Sequence, residues 1–130
     1  MYSHINVGTS SIEKAVNFYD AVLMPLGISR KFIDNERGWA AWQNKDNDRP
    51  LFIVGLPVND GPQSAGNGQM VAFLANSREQ VDSCYGIAIR MGAMSEGCPG
   101  LRPENHPDYY GGYFRDLDGN KICVCCHQTE

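Results

Sequence analysis

The sequence lacks three features that would each have pointed to a function class. It has no lysine and arginine cluster: 11 basic residues face 15 acidic ones along 130 positions, for a formal net charge of -4. That excludes the basic footprint on which nucleic-acid and anionic-membrane binders depend. It has no apolar run long enough to cross a bilayer, which takes roughly 20 residues. It also has no paired-cysteine framework. The five cysteines, at 84, 98, 123, 125 and 126, are odd in number and two are adjacent. Such usage fits a reducing, cytoplasmic setting better than a disulfide scaffold. The opening Met1-Tyr-Ser-His-Ile-Asn has neither the basic start nor the apolar stretch of a signal peptide, which gives the same expectation.

Several site fingerprints are missing too. No G-x-S-x-G nucleophile elbow occurs. Gly66-Asn-Gly68 comes before an apolar strand, whereas a dinucleotide-binding turn follows one. Asp116-Leu-Asp-Gly-Asn120 is not a calcium loop. Its sixth position is Lys121 where glycine is needed, and its twelfth is His127 where glutamate is needed. It reads instead as a hairpin turn in which Asp and Asn satisfy local amides. Cys125-Cys126-His127 lacks the C-x2-4-C spacing of a structural zinc site.

What is present is the composition of one folded domain, residues 1–130, with 42% hydrophobic and 20% charged residues. His4 to Val7 alternates polar and apolar, as a half-buried strand does. Ser10-Ser-Ile-Glu13 reads as a capping box. Ile12, Ala15, Val16, Tyr19, Val22, Leu23 and Leu26 follow at helical spacing, and Gly27 ends the helix. Three strands follow, over 28–34, 39–43 and 51–54. Residues 57–68 are loop chemistry.

The pattern then restarts. A strand spans 69–75, and Asn76-Ser-Arg-Glu79 repeats the helix start. Val81, Cys84, Tyr85, Ala88 and Ile89 repeat the stripe, and Gly92 closes it. A shift of 66 positions superposes Ser11 on Ser77, Glu13 on Glu79 and Tyr19 on Tyr85. Residues 93–101, rich in Gly and Pro, hold a short strand at most. The chain closes with a hairpin around Asp118-Gly119, where Gly tolerates the positive φ of a tight turn. This is a duplicated β-α-β-β-β unit: module one 1–57, linker 58–68, module two 69–130. The fold class is α+β, with a helix on the outer face of each sheet. The helices cover Ile5, Val7, Val71 and Phe73, and the inner faces carry His4, Asn6 and Met70.

The segments His4-x-x-Val-Gly8, Phe18-Tyr19, Leu26-Gly27, Gly66-Asn-Gly68, Val71-Ala-Phe73, Pro99-Gly-Leu-Arg-Pro103, Tyr109-Tyr110 and Arg115-Asp-x-Asp-Gly-Asn-Lys-Ile122 together resemble the vicinal oxygen chelate superfamily. That group takes in glyoxalase I, extradiol dioxygenases and bleomycin-resistance proteins. The resemblance implies paired βαβββ modules, a cupped mixed sheet, a small-molecule ligand and commonly a homodimer, with no nucleic acid or membrane partner. It also implies metal ligands on inner-face strand positions, which here are His4, Met70, Cys123 and the β-strand over 51–55. Met70 and Cys123 stand where imidazole and carboxylate are expected, and residues 51–55 offer no ligand. A divalent ion (Zn, Ni, Mn or Fe) would then have only His4 and Cys123, too few for a firm site. The expectation is a small organic ligand in the cavity, touched by His4, Trp42, Met70, Tyr110 and Cys123. The alternative is a metal-dependent lyase or dioxygenase with an altered ligand set.

Overall fold

Two serines start the two helices. The computed structural model describes residues 1–130. Helix α1 (Ile12–Val22) begins at Ser11, whose hydroxyl accepts the Lys14 N–H. Helix α2 (Arg78–Arg90) begins at Ser77, whose hydroxyl accepts the Gln80 N–H. Each bond satisfies an amide that has no partner inside its helix. Both caps lie one residue later than expected, and they keep the 66-residue offset of the repeat. Ser10 is displaced because its N–H and hydroxyl both bond Asp118. The Asn76 N–H takes the Gln80 side-chain oxygen. Helix α1 stops at Val22, and a 3-10 turn over Met24–Leu26 follows. Gly27, at φ 71°, closes that turn rather than the α-helix.

The strands are β1 (His4–Gly8), β2 (Ile28–Asp34), β3 (Trp39–Asn44), β4 (Leu51–Gly55), β5 (Val71–Leu74), β6 (Met94–Leu101), β7 (Tyr110–Arg115) and β8 (Lys121–Cys126). They form two four-stranded mixed sheets of identical topology, β1-β4-β3-β2 and β5-β8-β7-β6. In each, the first strand pairs in parallel with the last, and the remaining neighbours run antiparallel. The helix and the two strands after it make up the long connection that such a parallel pair requires. Strand β6 is longer than its Gly- and Pro-rich sequence suggests. It keeps its pairing with β7 through register shifts on either side of Gly97.

One hydrophobic core serves both halves. It joins Phe18, Tyr19 and Val22 of α1 to Val81, Cys84 and Ala88 of α2. To these it adds Trp42, Phe52 and Val54 of the first sheet and Phe73, Phe114, Ile122, Val124 and Cys126 of the second. The Phe18 ring meets Phe114 at 6.2 Å, and Phe52 meets Phe73 at 5.0 Å, so the modules interlock through aromatic edges. Val7, Val71 and Phe73 lie on this side, as the alternation predicts. The opposite faces of both sheets have no helix over them and look away from the core.

The hairpin between β7 and β8 takes its positive φ at Gly119, as the sequence suggests. Asp118 does not have a positive φ, which excludes a two-residue type I′ turn. The Gly119 N–H bonds the Asp116 carbonyl, and Gly119 itself takes φ 87°. Asp116 accepts from the backbone N–H groups of Asp118 and Asn120, as a local turn residue does. It also accepts the Tyr19 hydroxyl of α1 at 2.5 Å. Asp118 accepts the Thr9 hydroxyl at 2.6 Å, and the Asn120 side-chain amide donates to the Gly8 carbonyl at 2.8 Å. The turn of module two is thus fastened to the β1–α1 junction of module one. Burial, followed by the charge of Asp116, holds the Tyr19 hydroxyl well above its ordinary pKa, so it serves as a neutral donor.

Tyr19→Phe removes one buried bond to a charged group and is expected to cost about 1.5–3 kcal/mol of unfolding free energy. Arg30→Gln loses only an exposed ion pair with Asp20 and is expected to cost under about 1 kcal/mol. Urea denaturation of both variants against the parent chain checks the ordering.

Candidate functional site

The uncovered face of the first sheet is an apolar floor with an aromatic wall. Residues paired across neighbouring strands share a face, so the register of His4 with Leu51 and Asn6 with Ile53 puts all four on one side. Ala41, Leu51 and Ile53 form a small buried cluster, against which Phe32 and Trp39 pack. The Phe32 and Trp39 rings meet at 5.3 Å, and the Arg37 guanidinium lies 3.6 Å from the Trp39 ring centre. His4 stands exposed at the edge of this floor, its Nδ1 2.9 Å from the Ser3 hydroxyl.

The uncovered face of the second sheet carries thiols and phenols. Cys123 and Cys125 are two residues apart on β8 and share that face. Tyr113 lies opposite Cys123, and Gly111 lies opposite Cys125. The missing side chain of Gly111 makes room for the Tyr109 ring: a Cβ there would sit 2.9 Å from it. Tyr109 reaches Cys123 with its hydroxyl at 3.5 Å and accepts the Tyr113 hydroxyl at 2.9 Å. The neighbouring Cys125, then burial, pushes the Cys123 thiol above its ordinary pKa. Burial also raises the Tyr109 hydroxyl.

The five expected ligand contacts fall at different places on this framework. Trp42 belongs to the core. It is 0% exposed, its ring packs on Tyr19 at 5.7 Å, and its indole N–H donates to Asp20 at 2.9 Å. It borders a crevice of about 260 Å³ between the first sheet and β5, yet shows no surface to solvent. Trp39, three residues earlier, is the tryptophan on the uncovered face. Tyr110 likewise packs on the helix side, its hydroxyl donating to Asp82 of α2 at 2.7 Å. Its neighbour Tyr109 is the one that meets Cys123. Trp42 and Tyr110 both stand on the helix-facing side of their strands. Trp42 pairs with Phe52 and Tyr110 with Cys126, and both partners are core residues. Met70 lies just before β5, 45% exposed, on the wall of a hollow of about 420 Å³ shared with Asn6, Gln69 and Lys121. His4 and Cys123 make their contacts separately, with Ser3 and with Tyr109.

These residues do not fit a divalent metal. No group of three or more His, Cys, Asp or Glu side chains is arranged to hold one. Met70 offers a thioether, and Cys123 offers sulfur where a carboxylate is expected. Hard and borderline ions favour imidazole, carboxylate or thiolate.

The family model for the Glyoxalase/Bleomycin resistance protein/Dioxygenase superfamily matches residues 2–124. Among solved structures, a glyoxalase/bleomycin resistance protein from Albidiferax ferrireducens T118 is 34% identical. It covers 97% of this chain and 98% of its own, with a TM-score of 0.87. A glyoxalase-related enzyme from Fulvimarina pelagi is 17% identical over 97% of this chain and 87% of its own, with a TM-score of 0.76. A family enzyme from Burkholderia phytofirmans PsJN is 17% identical over 97% and 98%, with a TM-score of 0.71. The last two show likeness of fold alone. No curated protein matches the chain.

The two tryptophans report different environments. A Trp39→Phe chain, which keeps buried Trp42, is expected to resist acrylamide quenching. A Trp42→Phe chain, which keeps Trp39, is expected to be quenched readily. Stern–Volmer slopes of the two folded variants check this.

Proposed function

The chain belongs to the glyoxalase/bleomycin resistance protein/dioxygenase superfamily, and from that premise we propose that it binds a small, flat organic molecule without the metal chemistry of its relatives. The observation that carries this reading is the contrast between its two kinds of inner-face position. Where the resemblance expects metal ligands stand the thioether of Met70 and the thiol of Cys123, and no group of three or more His, Cys, Asp or Glu side chains converges there. Where a ligand needs packing surface stand the half-buried Phe32 and Trp39 rings, backed by the buried cluster of Ala41, Leu51 and Ile53. Pockets for small molecules combine such apolar and aromatic lining with a few polar groups. His4, Asn6 and Gln43 supply polar groups on the same face.

A second copy of the chain completes the pocket in this reading. Each uncovered face is a single wall, and a ligand enclosed on one side only gives up most of its burial. Leu74 at the end of β5 is 67% exposed, and Met70, just before that strand, is 45% exposed. Burying both against another copy would remove apolar surface that a lone chain leaves in water.

Metal analysis of protein purified without added metal tests the first part. The expected result is far less than one ion per chain, unchanged in His4→Ala. Near-stoichiometric metal that is lost with His4 would sink the reading. Sedimentation is expected to give a dimer. A thermal-shift screen of planar aromatic compounds is expected to yield binders that quench Trp39 emission, and a Trp39→Ala chain is expected to bind them at least about tenfold more weakly.

A further inference from the structure

We propose that the crevice of about 260 Å³ between the first sheet and β5 is a binding site for small apolar monocarboxylates, with Arg49 taking the carboxylate at its mouth. The inference goes beyond the ligand reading given for the uncovered face of the first sheet and does not rest on it.

The body of the crevice follows from strand register. Ile5 and Trp42 both pair with Phe52, so the three form one row across β1, β4 and β3 on the helix-facing side. Val71 and Phe73, two residues apart on β5, present a matching apolar row. Strands β1 and β5 are each the edge of their own sheet, so no ladder closes the seam between the rows. The Phe52 and Phe73 rings meet across it at 5.0 Å, and both line the crevice. Half-buried Ile5 and Val71 supply apolar surface, while Trp42 backs the wall. Phe32, Trp39, Ala41 and Ile53 take no part in the lining, which separates this site from the uncovered face.

The mouth is made by the turn between β3 and β4, which brings Asn44, Asn47, Arg49 and Pro50 to the crevice. Arg49 is the only charged residue in the lining, and no acidic side chain joins it there. Its Nη1 donates to the Asp48 carbonyl at 3.2 Å. The ion pairs of the chain are Arg30 with Asp20 and Arg115 with Glu96, so the Arg49 guanidinium has no carboxylate of its own. The Asn44 side-chain oxygen accepts the Asp46 N–H at 3.3 Å, which leaves its amide N–H groups as donors.

These features select the occupant. A guanidinium offers paired N–H groups to the two oxygens of a carboxylate. An apolar wall with a few polar groups at one end orients a ligand that has one charged end and one apolar end. A second carboxylate would find no second cation. An apolar cavity of about 150 Å³ accepts benzene, so this crevice has room for one ring and a short acid tail.

The test is a titration of the isotope-labelled, folded chain with phenylacetate and, separately, with neutral phenylacetamide, followed by amide and indole N–H shifts. Saturable shifts are expected at Asn44, Arg49, Val71 and Phe73, with the Trp39 indole unmoved. Phenylacetamide is expected to bind at least about tenfold more weakly, since it lacks the charged hydrogen bonds. Arg49 is exposed, so Arg49→Gln is expected to keep the fold, which its spectrum checks. That variant is expected to bind the acid only as well as the amide, with amide affinity unchanged. Absence of saturable shifts, equal affinity for acid and amide, or parental acid binding in Arg49→Gln would each overturn the proposal. Shifts centred on Phe32 and Trp39 would overturn it too, while supporting the reading of the uncovered face, so the two fail separately.

Discussion

The contact on which the rest of this structure depends is the fastening of one hairpin turn to the opposite module. Asp116 and Asp118 together receive the hydroxyls of Tyr19, Thr9 and Ser10, while Asn120 holds the Gly8 carbonyl. Thr9, Asp116 and Asn120 are all buried. Buried polar groups that lose a partner are costly, so this cluster tolerates only one relative placement of the two modules. The surrounding aromatic core contributes more to stability in total, at about 1.5–3 kcal/mol for each large side chain buried. That term has little direction. The hydrogen bonds decide where the second sheet sits against the first helix.

That placement governs the chemistry. Because both helices and both helix-facing surfaces share one core, the remaining sheet faces are left open and differ in character. The first is apolar and aromatic, with His4 at its edge. The second is sulfur- and phenol-rich. The residues that the resemblance would gather around a metal are spread between them, and two of them are poor donors in any case.

Much of this was legible in the sequence. The duplicated unit, the 66-residue offset and the helix-facing residues Val7, Val71 and Phe73 follow from periodicity and capping, because these are local or depend on one face being apolar. The helix starts slipped by one residue because two serines compete at the first junction and Asp118, 108 positions away, claims Ser10. The same long-range partners make Asp116-Leu-Asp-Gly-Asn120 more than the local turn it resembles. Trp42 and Tyr110 each have an aromatic neighbour of opposite parity, Trp39 or Tyr109. Only the pairing partners, Phe52 and Cys126, reveal which one faces the core.

The single core also bears on how the duplication persists. Phe18 of the first half needs Phe114 of the second, and Phe52 needs Phe73. Cutting the chain in the segment after Leu56 would leave each fragment with a greasy surface open to water and no counterpart to shield it. The two repeats are therefore obligate companions: they melt as one cooperative unit, and a substitution that loosens either is felt across the whole chain.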